Sequence, residues 1–419
     1  MPLHHALCFL GATSITCALV VAGPRATGPS GIRVAAISFV PQKFDPGGNA
    51  DRLEKMFRQA ADGGAQIAVS PEGALDGYVV NEIIAGEAQP EQMQSVAISV
   101  DHAIIRRFRG LARELKMCLV IGFAERIEDD VFNSALFVDD EGNIRGKYHK
   151  MQFAEGYHPS WWFNRLGKQS RAFDTPFGRC GILICNDRWN AQLARIPALD
   201  GAQFLVIPSF GSRSVDQDEA VLSRGRENGL PVIEANVGVT LVVDDGTITA
   251  VDRREEGITF GEIRVAPARD ADIEQRDRVE RDFLDWRQEE MQRRYERTME
   301  DYAAAHGPGG HFLGDGKGGF AAGINKGNDN HWLKIRLQGD SKQVNSCAIG
   351  ARVRIKLGDK TLTRQVEGGG VGQGNQNDLT LHFGLGEHAT EVRYTVPWTN
   401  GQTQTGITDV DRMIRVEMR

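Results

Sequence analysis

Cysteine is scarce in this chain, with six in 419 residues, and two of them, Cys8 and Cys17, fall in an apolar N-terminal run. The other four, Cys118, Cys180, Cys185 and Cys347, have no regular spacing, which gives neither a disulfide framework nor a zinc site. Charge of one sign is lacking too. The net charge of −7 offers no electrostatic reason for a nucleic-acid partner, and a basic pair such as Arg253-Arg254 is answered at once by Glu255-Glu256. The glycine string Gly368 to Gly374 has neither the lysine nor the following helix of a phosphate loop, so it reads as a turn. No spacing calls for a metal, nucleotide or other cofactor.

Long hydrophobic runs are also few. The run Ala6 to Ala22 is interrupted by Thr13, Ser14 and Thr16 and is too short and too polar for a membrane span. Its length and the small residues at Ala22-Gly23 suit a secretory signal, although His4 and His5 stand where Lys or Arg is usual. The expectation is export to a periplasmic or extracellular location; the alternatives are a mis-assigned start, with a cytoplasmic protein, or a retained anchor.

What the chain does have is one stretch around which the rest is organised, FGRCGILICNDRW from Phe177 to Trp189. A short apolar run ends abruptly at Cys185 and the polar set Asn186-Asp187-Arg188, as a strand does when it delivers a thiol into a loop. Ligands of open α/β sheets meet the protein just past the carboxyl ends of strands. Taken alone, Cys185 is equally a buried small hydrophobe. Two other places change that balance. The apolar run Gln66 to Ser70 ends in Pro71-Glu72-Gly73, a carboxylate at the same kind of strand end, and Lys147 to Met151 sets lysines in a partly apolar segment.

In order and spacing, PEGALDGY, KYHKMQ and ICNDRW resemble the Glu-Lys-Cys motifs of the nitrilase, or carbon-nitrogen hydrolase, superfamily over about residues 32 to 268. The resemblance implies a four-layer α-β-β-α sandwich, pairing of subunits through the cysteine-side helices into a homodimer or larger homo-oligomer, and catalysis by Glu72, Lys150 and Cys185 without a cofactor. The chemistry fits those residue types. A thiol of ordinary pKa is mostly protonated at neutral pH, so it needs a base and a nearby cation. A donor aimed at the developing oxyanion, such as the backbone N–H of Asn186, is worth ~3 kcal/mol of barrier.

Lys147 competes with Lys150 for the lysine role; Lys150, flanked by Met151 and Phe153, fits the family pattern better. Glu155 is either a second carboxylate that orients the lysine or a surface loop carboxylate, and Glu227 resembles a helix position that supports the site. His149 reads as a satisfied strand-end histidine. CNDR resembles the N-carbamoyl-amino-acid amidohydrolase branch, in which two consecutive arginines hold a substrate carboxylate; here Arg188 is followed by Trp189, which points to a more apolar or planar ligand. Tyr157, His158, Trp161 and Trp162 are candidates for the pocket wall or for core. The substrate class implied is a small amide or N-carbamoyl compound. A non-catalytic binding protein with a hydrolase-like shell and an amide acyltransferase stand as alternatives.

Strands alternating with helices from about residue 31 to 268 argue an α/β domain, and within it Asn49 reads as a helix N-cap. Residues 269–306 read as a long charged helix whose loose apolar stripe packs along the hydrolase domain or a second subunit, and 307–319 as a glycine-rich joint after it. Strict alternation at Leu333, Ile335 and Leu337, and again at Val353, Ile355 and Leu357, then points to an all-β sandwich over 320–419. AIGARVRIK, HFGLG and WTNGQTQ in that region resemble the ASPIC/UnbV domain, whose usual settings are extracytoplasmic, and a ligand for it is open. With 1–28 as signal and linker, the domain plan is complete.

Overall fold

The computed structural model describes residues 31–306 and 331–418 apart from 86, 359, 368–378 and 389. The expected signal segment, glycine-rich joint and Gly368 to Gly374 turn lie outside the described residues. In chain order the hydrolase-like part runs β1 (Ile32–Ser38), α1 (Pro46–Asp62), β2 (Ile67–Val69), α2 (Val80–Ile84), α3 (Pro90–Val96), α4 (Ala103–Leu115), β3 (Cys118–Ile127), β4 (Asp130–Val138), β5 (Ile144–His149), β6 (Phe173–Thr175) and β7 (Gly178–Ile182). A 3-10 turn (Cys185–Trp189), α5 (Ala191–Leu199), β8 (Phe204–Ser209), α6 (Val215–Asn228), β9 (Val232–Asn236), β10 (Val239–Asp244), β11 (Thr247–Asp252) and β12 (Gly257–Ile263) follow.

Two six-stranded sheets, ordered β12-β1-β2-β3-β4-β5 and β11-β10-β9-β8-β7-β6, pack face to face. The central strands are parallel, buried on both faces and therefore almost continuously apolar. Their inner faces share one core that joins Val34, Val69 and Val120 to Ile182, Val206 and Ile233. The other face of the first sheet packs on α1 and α4 through Phe57 and Phe108. The second sheet is backed by α5 and α6, which completes an α-β-β-α sandwich.

Asn49 does not cap α1. Asp45 does, accepting from the Gly48 N–H at 2.9 Å with Pro46 at the first helical position, an arrangement that suits proline's missing N–H. Asn49 is instead buried inside the helix, and its Nδ2 donates to the carbonyls of Gln42 and Leu75 at 2.7 and 2.9 Å, which anchors the segment that follows Glu72.

The long helix α7 (Ile273–His306) lies along the chain's own hydrolase-like part, burying Phe283, Met291 and Met299 together with Glu290, Arg294 and Thr298. Beyond it, β13 (His331–Gln338), β14 (Arg352–Leu357), β15 (Lys360–Gln365), β16 (Thr380–Gly386), β17 (Val392–Pro397), β18 (Thr403–Thr408) and β19 (Arg412–Glu417) form sheets β16-β13-β19 and β15-β14-β17-β18 around a separate core. The strands β15 and β18 are edges with few apolar residues, so alternation does not reveal them. Trp189 and Ala220 of the hydrolase-like part belong to this second core, so the outer face of the cysteine-side helices is covered by the chain itself. Among the described residues no helix is long and apolar enough to cross a membrane.

Candidate active site

The short strand β2 stops at Pro71, which has no N–H to continue the ladder, and the next residue, Glu72, turns into the interior at 1% exposure. The turn packs so closely on β3 that a Cβ at Gly122 would lie 2.3 Å from the Pro71 carbonyl oxygen. From the end of β5, Lys150 is held by its N–H to the Asn133 carbonyl at 2.8 Å. Its Nζ lies 2.6 Å from Glu72 Oε1, and the same oxygen accepts from Asn133 Nδ2 at 2.6 Å. At the end of β7, Cys185 adopts φ +47°, a strained conformation for a non-glycine residue that makes the chain turn sharply at the thiol.

Phe210, just past β8, joins the two halves. Its N–H donates to Glu72 Oε2 at 3.0 Å, and its carbonyl accepts from Cys185 Sγ at 3.5 Å. Tyr78 stacks on the Phe210 ring at 4.8 Å, and Lys150 faces the Tyr78 ring at 5.9 Å. The cysteine turn is tied to the lysine segment by Asp187, whose carboxylate accepts from the Ile184 N–H, the Tyr148 hydroxyl and the Gln152 N–H at 2.9 to 3.0 Å. Asn186 Nδ2 adds a bond to the Gln152 carbonyl at 3.3 Å.

Burial, and after it the Glu72 charge, push the Cys185 thiol up to about 11, against the pull of Lys150 and Arg188. At neutral pH Cys185 is therefore a thiol. Burial works against the charge of Lys150, but the negative charge of Glu72, joined by Cys185 and Glu155 where these ionise, outweighs it and holds the ammonium well above its usual range. Glu155 is 2% exposed, so it is not a surface carboxylate; burial raises its pKa and Lys150 opposes the rise. Burial likewise pushes Asp187 up to about 7.

Lys147 and His149 lie elsewhere, both on the buried Glu125 at 2.6 and 2.7 Å. Burial opposes the Glu125 charge, and the hydrogen bonds from His149 and Lys147 outweigh it. Arg188 does not stand ready for a substrate carboxylate. It is 1% exposed and its Nη1 donates to Glu234 Oε1 and Ser209 Oγ at 2.9 and 2.8 Å. Trp189 packs into the core of the β domain and not around the thiol.

Glu227, expected beside the site, pairs instead with Arg224 at 3.1 Å on α6. The buried carboxylate near the cysteine turn is Glu234, one strand further on. Tyr157 donates through its hydroxyl to the Asn164 carbonyl at 2.9 Å, and Trp161 stacks on Trp162 at 4.4 Å and leans on Tyr295 of α7 at 5.0 Å. These aromatics form packing between the loop after Lys150 and α7.

Phe210 and Asn133 went unnoticed in the sequence. Asn133 carries a visible signal, a polar residue inside the apolar strand DVFNSALFV; Phe210 acts through its backbone, and only its place after a buried strand hints at it. Among the described residues no cluster of His, Cys, Asp and Glu has a metal-binding arrangement.

The carbon-nitrogen hydrolase profile matches residues 33–271, and the ASPIC and UnbV profile matches residues 341–416. Citrullinase of Francisella tularensis is 29% identical over 230 residues, 52% of this chain and 77% of its own length. N-carbamoylputrescine amidase of Oryza sativa is 28% identical over 221 residues, 51% of this chain and 68% of its own. Among solved structures, an amidase of Nesterenkonia sp. covers 61% of this chain and 98% of its own at 23% identity, with a TM-score of 0.49. The chain belongs to the carbon-nitrogen hydrolase family.

Proposed function

We propose that the chain hydrolyses the C–N bond of a small amide or N-carbamoyl compound through a thioester on Cys185. The observation that carries this reading is that the backbone of one residue, Phe210, bonds both Glu72 through its N–H and Cys185 through its carbonyl, while Lys150 and Asn133 share the other Glu72 oxygen. With the thiol protonated at rest, Glu72 removes its proton as Sγ attacks the carbonyl carbon. Lys150 and the Asn186 backbone N–H stabilise the negative oxygen of the tetrahedral intermediate. Glu72 returns the proton to the leaving nitrogen, the C–N bond breaks and ammonia or an amine departs. Glu72 then takes a proton from water, which attacks the thioester, and the acid leaves as the thiol is restored. No step calls for a cofactor. Glu155, buried in the field of Lys150, holds the lysine in place.

Arg188 is already neutralised by Glu234, which favours substrates recognised by something other than a free carboxylate-binding arginine. The names of the relatives favour a ureido group. Ammonia release from N-carbamoyl amines, N-carbamoyl amino acids, aliphatic amides and nitriles tests the class: turnover of the first or third group supports the reading, and silence across all four removes it. Export, carried by Ala6 to Ala22, is also proposed and is tested by N-terminal sequencing of the mature protein. Any homo-oligomer uses a face other than α5 and α6, because α7 lies on α5 and the β domain packs on α6.

A further inference from the structure

The β domain touches the hydrolase-like part where its two site loops begin. On one side it holds the cysteine turn. Gln365 Nε2 donates to the Trp189 carbonyl at 3.1 Å, and Arg352 donates through Nε to Gln365 Oε1 at 3.0 Å and through Nη2 to Asn190 Oδ1 at 3.3 Å. Asn190 in turn donates to Gln152 Oε1 at 3.1 Å, two residues beyond Lys150. Arg352 is 2% exposed and stacks over Trp286 of α7 at 4.6 Å. The Trp189 ring is seated in the core of the β domain.

On the other side, Glu367 forms a buried ion pair with Arg294 of α7, which also binds Glu290 at 2.6 Å. Arg294 Nη1 donates to the carbonyls of Phe153 and Ala154 at 3.4 and 3.3 Å, and Thr298 Oγ1 donates to the Glu155 carbonyl at 2.7 Å. Gly156, at φ +95°, fits so tightly under α7 that a Cβ there would lie 2.1 Å from the Tyr295 nitrogen. The end of β15 therefore reaches both loops within three residues, the nucleophile turn from Gln365 and the loop from Lys150 to Glu155 from Glu367 through Arg294.

We infer that Gln365 and Glu367 are positioning residues for the hydrolase site, and that the β domain is an intramolecular clamp that fixes the Cys185 turn relative to the Lys150 to Glu155 loop. The inference rests on the proposed hydrolase reading for its effect on turnover, but not for its effect on the thiol. A buried arginine pair and a buried amide bond at a domain junction set geometry because neither partner can be left unpaired at low cost. Catalysis responds steeply to small displacements of such groups.

The test uses the full chain with Gln365→Ala, Glu367→Ala and the conservative Glu367→Gln. As a control, Phe383→Leu perturbs the β-domain core without touching either loop. Iodoacetamide alkylation of Cys185, read by peptide mass spectrometry, needs no substrate. The expected result is a change of about threefold or more in alkylation rate for both alanine variants. Where a substrate is in hand, kcat falls about tenfold with KM within twofold. Glu367→Gln recovers most of the loss, and Phe383→Leu stays near wild type below its melting temperature.

Alkylation and kcat unchanged in both folded alanine variants would overturn the inference. Should either variant fail to fold, hydrogen exchange on the wild-type chain decides. The clamp predicts that amides 186–190 and 153–157 lose protection together with 352–366, and opening of the β domain while those loops stay protected contradicts it. A chain that hydrolyses nothing yet shows the alkylation effect removes the hydrolase reading and leaves the clamp.

Discussion

Lys150 and Glu72 meet at 2.6 Å with both side chains no more than 1% exposed. An ion pair so deeply buried is a poor source of stability, yet breaking it strands a charge without water. Lys150→Ala is expected to cost about 3–5 kcal/mol of stability and to abolish turnover. Lys150→Arg restores charge but not the point geometry, so it regains stability and little activity. Chemical denaturation beside the ammonia assay separates the two effects.

The thiol at about 11 sets a pH signature. In the free protein the alkylation rate of Cys185 rises toward pH 11 and not toward the ordinary thiol range near 9. Glu72→Gln removes the like charge and moves the midpoint down, but not to 9, because burial remains the larger cause. For stability the sign is that of a raised acid: the contribution of this group is whole below about pH 9 and is lost as pH climbs through 11. Rate-against-pH curves for the two proteins check the midpoints, and wild-type denaturation curves between about pH 8 and 11 check the loss of stability.

Arg188 is already paired with Glu234, and that role and a substrate-receptor role predict differently. Arg188→Leu leaves the Glu234 carboxylate alone in the interior and costs about 3–5 kcal/mol. Arg188→Leu with Glu234→Leu recovers part of that loss. In a carboxylate receptor, the single substitution instead keeps the fold and selectively raises KM for anionic substrates. Melting curves and KM ratios for acidic and neutral substrates distinguish the two.

The turn at Glu72 depends on a missing side chain in the neighbouring strand. Gly122→Ala places a methyl against the Pro71 carbonyl, so the Glu72 turn must shift. The expected cost is about 1–3 kcal/mol from overpacking, with kcat reduced more than KM is raised.

How much of this was legible in the chain follows from what sequence patterns encode. The parallel strands leading to Glu72 and Cys185 are continuous apolar runs cut off by polar residues, and β13 and β14 alternate strictly, so both domains announce themselves. The two candidate lysines part company in the structure, Lys150 pairing with Glu72 and Lys147 with Glu125. Placement across space was not legible. Glu227 and Glu234 look alike in sequence, and only the packing of α6 against the β domain sends one to Arg224 and the other to Arg188. Trp189 read as a pocket residue because nothing local reveals that a domain more than a hundred residues later receives its ring. The apolar stripe of α7 pointed to packing along the hydrolase-like part, but composition cannot show that Glu290, Arg294 and Thr298 are buried there through ion pairs and carbonyls.

The most direct measurement compares wild type with Cys185→Ala on whichever amide or N-carbamoyl compound releases ammonia, and follows intact protein mass during turnover. Loss of essentially all release in the variant, with an acyl adduct on Cys185 in the wild type, is the predicted result. Ammonia release that survives the substitution in a folded protein, with no adduct in the wild type, contradicts the thioester chemistry assigned to this site.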